Sequence, residues 1–505
     1  MDGTALTDGS VQQQSFTAGR PTGPALRRQL RLITLAWVFG SVWMTATAGA
    51  PLTLFAKGLG ANEFQFGILA ALPYLAAFLS LLGTVLTERV GHRKAFFLAT
   101  LYLQRFAWFP IALVPIWLMH RGFPASGVPL LAFLALIFLM NAGGAVGGVP
   151  WTSWMADLVP PRVRGKYFSR RRQWAVLSAI PAAIFVGWVL DHHIDSRNQS
   201  ALMSTCAMLF MFAAVFGTAD IATFHLVPDI PKTPRRGGAF WRALLEPLRN
   251  RSFLWATGFI ALMTFAMTIM NQFVTLYLLE RVHATSTQTQ LMVLIAPAIA
   301  QLLTLGVWGA AADRMGKKPL LILAGIGMVL PGLGWSLITP TSVWIGYAAA
   351  LIGTAFWTGI EIANFNLVIE LSGSDATHDG NAKGSSSYVA VNSIVINTAG
   401  LLGGLASGVI AQLLVHWHAH PRGAFKTFDY FDVLFAISAL LRLAAVVIFL
   451  PNIHEPSARP SVETLRFMTS NVYNNLVGAA MQPIRILRRR ARAETAETQQ
   501  GPTLS

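Results

Sequence analysis

Four charged residues lie inside long apolar stretches of this 505-residue sequence: Arg105, Asp220, Glu361 and Arg442. Isolated charges in such surroundings are unfavourable, so residues of this kind usually mark a binding site or a proton pathway. An arginine there can hold an anion or pair with a carboxylate, and a carboxylate can pair or carry a proton. Which of these applies depends on the elements that position the four side chains.

The composition places these charges in a membrane protein. Apolar residues make up 54% of the sequence, charged residues only 12%, and the mean hydropathy is +0.53. A soluble globular protein has about 25% charged residues, so a soluble enzyme is excluded. The net charge of +16 would favour nucleic acid only on a soluble scaffold, so we expect no nucleic-acid partner. The single cysteine, Cys206, excludes disulfides and cysteine-based metal sites.

The elements that carry the charges are apolar runs long enough to cross a bilayer, which takes about 20 residues. Twelve such runs predict an all-α membrane protein with 12 transmembrane helices. The predicted spans are 32–56, 64–87, 95–119, 127–154, 173–190, 202–227, 253–279, 287–312, 319–338, 341–369, 386–415 and 430–450.

Basic residues alternate between the two sides that these spans define. Most of the 38 Lys and Arg residues fall in the two tails and in every second loop. The intervening loops hold only Lys57, Arg121, Arg197, Arg281, Arg422 and Lys426. Because cytoplasmic loops carry the excess of Lys and Arg, we expect both termini in the cytoplasm.

The chain divides into five parts. Residues 1–30 are polar and lack the apolar segment of a signal peptide, which predicts a disordered cytoplasmic tail. Residues 31–227 and 253–452 each contain six spans, and residues 228–252 between them predict a cytoplasmic linker with an amphipathic helix. Residues 453–505 predict a cytoplasmic tail with a basic amphipathic helix. We expect this helix to contact anionic lipids, the alternative being a regulatory or partner-binding role.

Two stretches at matching places in the halves indicate an internal duplication. Thr84–Lys94 reads TVLTERVGHRK after the second span, and Gly309–Lys318 reads GAAADRMGKK after the eighth. The second stretch resembles the signature loop of the major facilitator superfamily, and the resemblance covers residues of about 30 to 452. The first stretch departs from the pattern, because Thr84 replaces glycine and Glu88 replaces aspartate.

The resemblance implies two six-helix pseudo-repeats that expose a shared pocket to each side of the membrane in turn. In that family the first, fourth, seventh and tenth helices surround the cavity, which places Glu361 of the tenth span on its wall. Burial there would favour the protonated carboxyl, so Glu361 is the candidate for proton coupling. The alternative is an ion pair with Arg442 that serves structure alone.

The same mapping gives a set of polar and aromatic candidates for the cavity wall. Amides hold hydroxyl groups and indoles cover ring faces, so the set favours polyhydroxylated or mixed polar and aromatic solutes. Packing between helices is the alternative for each member. The candidates are Trp43, Thr47, Asn141, Asn271, Gln272, Trp357 and Asn364.

Arg105 and Asp220 belong to the third and sixth spans, which the mapping places behind the first bundle. Their depths from the cytoplasmic side are similar, so we expect a structural ion pair. The alternative is that Arg105 binds an anionic substrate, which would be an organic or phosphorylated acid.

The signature loops predict a cytoplasmic gate at Glu88, Arg89, Asp313 and Arg314. A carboxylate at the inner end of one helix can bind another helix's N-terminus or a basic side chain, and this contact lasts only while the inner ends are together. The alternative is a loop that only fixes topology.

No catalytic residues, cofactor or metal ligands are predicted. The run His416, His418 and His420 is interpreted as a solvated loop, since no further ligand completes a metal set. The sequence has no Gly-x-x-x-x-Gly-Lys-Ser/Thr loop, so direct use of ATP is excluded.

These observations predict a secondary transporter, not an enzyme, in the bacterial inner membrane. It would move a small organic solute by proton symport, as a monomer with protons and membrane lipids as further partners. One alternative is an efflux antiporter for amphiphilic drugs or metabolites, which the glycine-free fifth-span sequence Ser178–Ala183 disfavours. An alternative of another class is a non-transporting membrane receptor or assembly platform.

Overall fold

The computed structural model is helical through almost all of the chain that it describes. A single antiparallel bridge joins Ala419 and Phe428 within that part. The described residues are 21, 23–90, 92–193, 199–230, 245–374, 384–420, 426–453, 455, 463–467 and 469–470.

Twelve helices of the described ranges are long and apolar enough to cross a membrane, which confirms the predicted all-α fold of 12 transmembrane helices. Lipid offers the backbone no hydrogen-bond partner, so an apolar chain crosses it as helices that satisfy their own N–H and C=O groups. We number them α1 (Gly23–Gly58), α2 (Glu63–Thr87), α3 (Arg93–His120), α4 (Val128–Leu158), α5 (Pro161–His193), α6 (Gln199–Leu226), α7 (Arg251–Glu280), α8 (Ser286–Met315), α9 (Lys318–Leu337), α10 (Trp344–Ser372), α11 (Ser387–Leu414) and α12 (Tyr430–Asn452).

An even number of spans brings both ends of the helical region to one face of the bundle. We call this the terminal face, where α1 begins at Gly23 and α12 ends at Asn452. The opposite face, where α1 ends at Gly58 and α2 begins at Glu63, is the distal face.

The helices form two halves of six. In the first half α1 packs against α5 and α6, and α3 packs against α4. In the second half α7 packs against α11 and α12, and α8 packs against α10. The halves meet mainly where α2 packs on α11 and where α5 packs on the distal end of α8. The layout is consistent with the two six-helix pseudo-repeats predicted from the sequence.

Among the described residues, the hydrophobic core joins the halves on one side of the molecule only. A single buried cluster on the distal side contains Phe55 and Phe210 of the first half together with Phe273 and Phe431 of the second. Towards the terminal face each half has a cluster of its own, one around Trp154 and one around α8 and α9. Apolar burial therefore holds the halves together distally.

Glycines allow α2 and α11 to pack backbone to backbone on the distal side. A Cβ atom on Gly67 would overlap the backbone of Gly408, and one on Gly404 would press on Ala71. Gly400, Gly404 and Gly408 recur every four residues, a spacing that lets helix backbones approach closely. The distal segment Glu63–Ala77 of α2 makes this contact, whereas its terminal segment packs within the first half.

Several predicted boundaries differ from the observed helices. The first span begins at Gly23, inside the predicted tail 1–30, and the fifth begins at Pro161, well before residue 173. Residues 1–20, most of the linker (231–244) and residues 471–505 lie outside the described part. The predicted amphipathic helix of the linker and most of the basic C-terminal helix therefore lie outside it too.

Candidate functional site

The first half contains a cavity of about 520 Å³ on the terminal side of the molecule. Its wall comes from all six helices of the first half, α1 to α6, so it lies inside one half and not between the two. The lining combines two arginines and one carboxylate with amides, indoles and aliphatic side chains. It includes Trp37, Trp43, Met44, Pro73, Leu101, Gln104, Arg105, Asn141, Trp151, Arg171, Asp220, Ile221 and Phe224.

Arg105 and Asp220 are brought together at the back of this cavity. Arg105 Nη2 donates to Asp220 Oδ2 at 2.8 Å, and both side chains are about 95% buried, at 5% and 4% exposed. Arg105 Nη1 donates to Gln104 Oε1 at 2.9 Å. Buried charges persist only with good partners, and this pair has them.

Indole rings hold both arginines of the cavity. The guanidinium carbon of Arg105 lies 3.6 Å from the ring centroid of Trp43. That of Arg171 lies 4.3 Å from Trp37 and 5.0 Å from Trp151. Desolvated cation–π contacts of this kind contribute about 2 kcal/mol each.

Two further predicted cavity residues of the first half serve the helices that carry them. Asn141 lines the cavity, and its Nδ2 donates to Ile137 O at 2.8 Å on the same helix. Thr47 is buried near the distal end of the first segment of α1 and donates to Trp43 O at 2.9 Å.

The second half has a smaller cavity of about 140 Å³, which Asn271, Trp335, Trp357 and Arg442 help to line. Arg442 is 2% exposed. Its Nη1 donates to Met328 O and its Nη2 to Met270 Sδ, both at 2.8 Å. The structure does not bring Arg442 to Glu361, because both described hydrogen bonds of its guanidinium go elsewhere. The described contacts therefore do not support the alternative of a structural Glu361–Arg442 ion pair.

The remaining two predicted cavity residues lie outside the linings of both cavities. Gln272 Nε2 donates to Thr53 Oγ1 at 3.4 Å, a contact between α7 and α1 that crosses from one half to the other. Asn364 is buried within α10, at 9% exposed.

Glu361 is exposed on α10 and contacts groups that lead to the other half. Trp357 Nε1 donates to Glu361 Oε1 at 2.9 Å, and Gln301 Nε2 donates to Oε2 at 3.4 Å. The Oε1 atom of the same Gln301 accepts from Arg172 Nη2 on α5. Sequence analysis expected a buried carboxylate, whereas the structure places Glu361 at one end of an Arg172–Gln301–Glu361 chain between the halves.

Polar contacts close the distal side of the interface. Asp191 at the end of α5 accepts from Ser286 N at 2.6 Å and from Thr287 N at 3.1 Å, which are the first backbone amides of α8. A carboxylate is favoured at such a helix N-terminus. Lys57 of α1 pairs with Glu280 of α7 nearby.

A helix break in α1 adds a third distal contact. Gly49 has φ +70° and ψ −130°, which interrupts α1 between Thr47 and Ala50. Gln290 of α8 fills the break: its Nε2 donates to Thr45 O at 2.9 Å and its Oε1 accepts from Ala50 N at 3.2 Å. A side chain of one half thus replaces backbone hydrogen bonds of the other.

On the terminal side the ion pairs between described residues stay within one half. Arg93 of α3 donates to Asp157 of α4 at 2.6 Å, and Lys317 donates to Glu370 of α10 at 2.6 Å. The hydrogen bond to Glu370 raises the pKa of the Lys317 amine above its ordinary value. This amine keeps its charge through neutral pH, and the stability it contributes is lost only as pH rises through the raised pKa.

The predicted gate residues lie at this face without a described contact to the other half. The guanidinium carbon of Arg314 lies 5.4 Å from the ring centroid of Phe467 in the C-terminal tail. Arg89 and Asp313 are exposed, and the side chain of Glu88 lies outside the described part. Around His416, His418 and His420, as elsewhere in the described ranges, no group of three or more His, Cys, Asp or Glu side chains could hold a metal.

Five residues of these sites were not predicted from the sequence. Arg171 and Arg172 were assigned to a cytoplasmic loop, because the apolar run of the fifth span begins after them. Asp191, Gln290 and Gln301 are polar residues at or inside the fifth and eighth spans, and this was the signal available in the sequence.

Comparison with known proteins identifies the arrangement. Residues 32–385 match the model of the family described as the Major Facilitator Superfamily. Among solved structures, a variant of the nucleoside transporter NupG is 14% identical with a TM-score of 0.61, covering 85% of this chain and 100% of that one. A bacterial homologue of the iron transporter ferroportin, in an inward-facing state, is 15% identical with a TM-score of 0.59, covering 85% and 99%. The D-xylose–proton symporter is 14% identical with a TM-score of 0.56, covering 86% and 98%. No curated protein matches the sequence.

Proposed function

Since the chain belongs to the major facilitator superfamily, we propose that it moves a small organic solute across the bacterial inner membrane by alternating access, driven by proton symport. It is a multi-pass membrane transporter rather than an enzyme, and it acts as a monomer with lipids around it. Solved transporters of the same fold include proton symporters for D-xylose and fucose. The terminal face is cytoplasmic in this proposal, because the Lys- and Arg-rich loops lie there.

The concentration of described contacts between the halves on the distal side is the observation that carries the proposal. Asp191, Gln290 and the shared hydrophobic cluster join the halves distally. The ion pairs of Arg93 and Lys317 on the terminal side are internal to each half. In alternating access, one set of contacts breaks as the other forms, so this conformation is the one open to the cytoplasm.

Proton coupling is assigned to Glu361 because it ends a polar chain between the halves. As an anion, Glu361 attracts Arg172 through the amide of Gln301. Protonation removes that charge and weakens the attraction, so binding of a proton changes the free energy of the contact between α5 and α10. A proton can therefore bias the equilibrium between the two conformations.

The test is transport by the full chain in liposomes after an uptake screen has named a solute. Glu361→Gln keeps the size of the side chain and one acceptor oxygen but removes the titration, so accumulation driven by a proton gradient should be lost while solute exchange persists. Glu370→Gln makes the same change on the same helix and should keep accumulation. Wild-type accumulation by Glu361→Gln contradicts the proton role, and the absence of any solute movement by the wild type contradicts the transporter proposal.

The direction of solute transport is measured in the same liposomes. Symport predicts uptake with the proton gradient, whereas an antiporter exports the solute against proton entry. Export of amphiphilic compounds would replace symport by the antiporter alternative.

A further inference from the structure

The cavity of the first half contains an arginine whose charge is not matched. We infer that this cavity is the solute site and that it binds an organic anion, whose carboxylate or phosphate contacts Arg171 while its apolar part lies against the aliphatic wall. The inference rests on the proposed transport function and names the class of its substrate.

The charges of the cavity give the first argument. Its lining contains two guanidinium groups, Arg105 and Arg171, and one carboxylate, Asp220. Asp220 is hydrogen-bonded to Arg105, so Arg171 remains as an excess positive charge. A buried, unmatched cation is unfavourable in apolar surroundings, and a bound anion would compensate it.

Hydrogen-bonding capacity gives the second argument. No hydrogen bond to the Arg171 guanidinium is found in the described part of the chain, although the residue is only 8% exposed. Among the described side chains that line the cavity, the buried polar atoms without a partner are Trp43 Nε1, Arg105 Nε and Arg171 Nε. All three are N–H donors, and carboxylate and phosphate oxygens are the acceptors that suit them.

The surroundings of the Arg171 guanidinium give the third argument. The guanidinium carbon of Arg171 lies over the rings of Trp37 and Trp151. An indole offers no hydrogen-bond acceptor and no negative charge, so these contacts do not use the N–H groups with which a guanidinium binds an oxyanion in bidentate fashion. The two indoles therefore position Arg171 instead of neutralising it.

The volume and the apolar lining of the cavity indicate what else the anion contains besides its charged group. A volume of about 520 Å³ exceeds what an inorganic ion requires and falls in the range of pockets for small organic ligands. Met44, Pro73, Leu101, Ile221 and Phe224 supply the apolar part of the lining. An anion with a hydrocarbon or ring portion fits this wall better than free phosphate or sulfate.

Binding to the full chain in detergent tests the inference with matched pairs of compounds. The pairs are benzoate and benzamide, indole-3-acetate and indole-3-acetamide, octanoate and octanamide, and phenyl phosphate and phenol. We expect an increase in unfolding temperature from anions and not from their neutral partners, and the carboxylate and phosphate arms tell which oxyanion is preferred. Stabilisation by the neutral members alone, or equally by both, would overturn the inference.

Variants then connect binding to the residue. Arg171→Gln should weaken binding of the best anion about tenfold or more, because a charge-assisted bidentate contact is lost. Arg171→Lys keeps the charge and should bind the anion with intermediate affinity. This variant also tests the site if Arg171→Gln does not fold. Arg170→Gln removes the neighbouring exposed arginine and should bind as the wild type does. Unchanged affinity in Arg171→Gln contradicts the site.

Chemical modification gives a test that needs no ligand. Phenylglyoxal added from the terminal face should modify Arg171 faster than Arg105, whose guanidinium is paired with Asp220. Equal resistance of the two arginines would contradict an accessible Arg171.

Transport of the best anion separates this inference from the proposed function. Arg171-dependent binding without transport supports the site and contradicts the transporter proposal. If the protein transports a neutral solute and Arg171→Gln leaves that transport intact, the transporter proposal is supported and the anion site is contradicted.

Discussion

Gly217 leaves the space in which Arg105 stacks on Trp43. A Cβ atom on Gly217 would lie 2.6 Å from Arg105 Cδ and 2.8 Å from Trp43 Cδ1, closer than real side chains approach. Gly40 makes similar room on the other side, where a Cβ would lie 2.9 Å from Asp220 Oδ2. The Arg105–Asp220 pair thus depends on two positions that have no side chain.

Gly217→Ala should therefore destabilise the protein by roughly 1–3 kcal/mol, because overpacking displaces the Arg105–Trp43 stack. Gly306→Ala is the matched control: Gly306 also lies within a transmembrane helix, and no atom lies within 4 Å of a Cβ built on it. That variant should be neutral or up to about 1 kcal/mol more stable, since alanine favours helix. Thermal unfolding of both variants in detergent measures the difference, and equal effects would contradict the steric explanation.

At this scale sequence analysis predicted the residues better than their partners. Arg105 and Asp220 stood out as charges in apolar spans at similar depth, and their proximity followed from that depth. The partners of Glu361 and Arg442 could not be predicted, because the direction in which each side chain leaves its helix depends on how the helices rotate against one another.

At the scale of elements, the break in α1 is the feature that connects the halves. Gly49 ends the first segment of α1, and the backbone groups left open there are satisfied by Gln290 of α8. Separation of the halves on the distal side requires these two hydrogen bonds to break.

Gln290→Ala should shift the molecule towards the distally open conformation. Each lost hydrogen bond is worth about 1 kcal/mol, so the equilibrium should move several-fold or more. The measurement is the rate at which an impermeant maleimide labels Thr53→Cys from the distal side, in a Cys206→Ser background. Gln288→Ala removes a capping side chain whose Oε1 accepts from Thr285 N at the start of the same helix, and it should leave the rate unchanged. Equal rates in both variants would contradict the role of Gln290.

The sequence allowed all 12 spans to be predicted, but not their ends. Hydropathy detects only the part of a helix that lies in hydrocarbon, whereas α5 continues through a polar, basic stretch from Pro161. Arginines can lie near the end of a span with their charged groups in a polar site, as Arg171 and Arg172 do. Because the predicted fifth span began at residue 173, Arg171 and Arg172 were not recognised as candidates. The site in the first half depends on Arg171, and the contact to Glu361 depends on Arg172.

For the whole molecule, the distribution of the hydrophobic clusters defines the conformation. The distal cluster is shared and the terminal clusters are separate. The two halves are therefore expected to separate at the terminal face while remaining in contact distally.

Cross-linking tests this asymmetry. In a Cys206→Ser background, Lys57→Cys with Glu280→Cys should react readily with a short bifunctional thiol reagent, because the native side chains form an ion pair between the halves. Arg89→Cys with Arg314→Cys, at matching places of the two signature loops, should react much more slowly. The reverse order of rates would show that the terminal side is the closed one.

The unmatched charge of Arg171 bears on what drives transport. Its guanidinium stays with the protein, so the charge that crosses the bilayer is the sum of the solute and the proton. A monovalent anion carried with one proton sums to zero, and such a cycle is electroneutral. A potassium diffusion potential set with valinomycin should then leave the uptake rate unchanged, whereas acidifying one compartment should drive accumulation in the other.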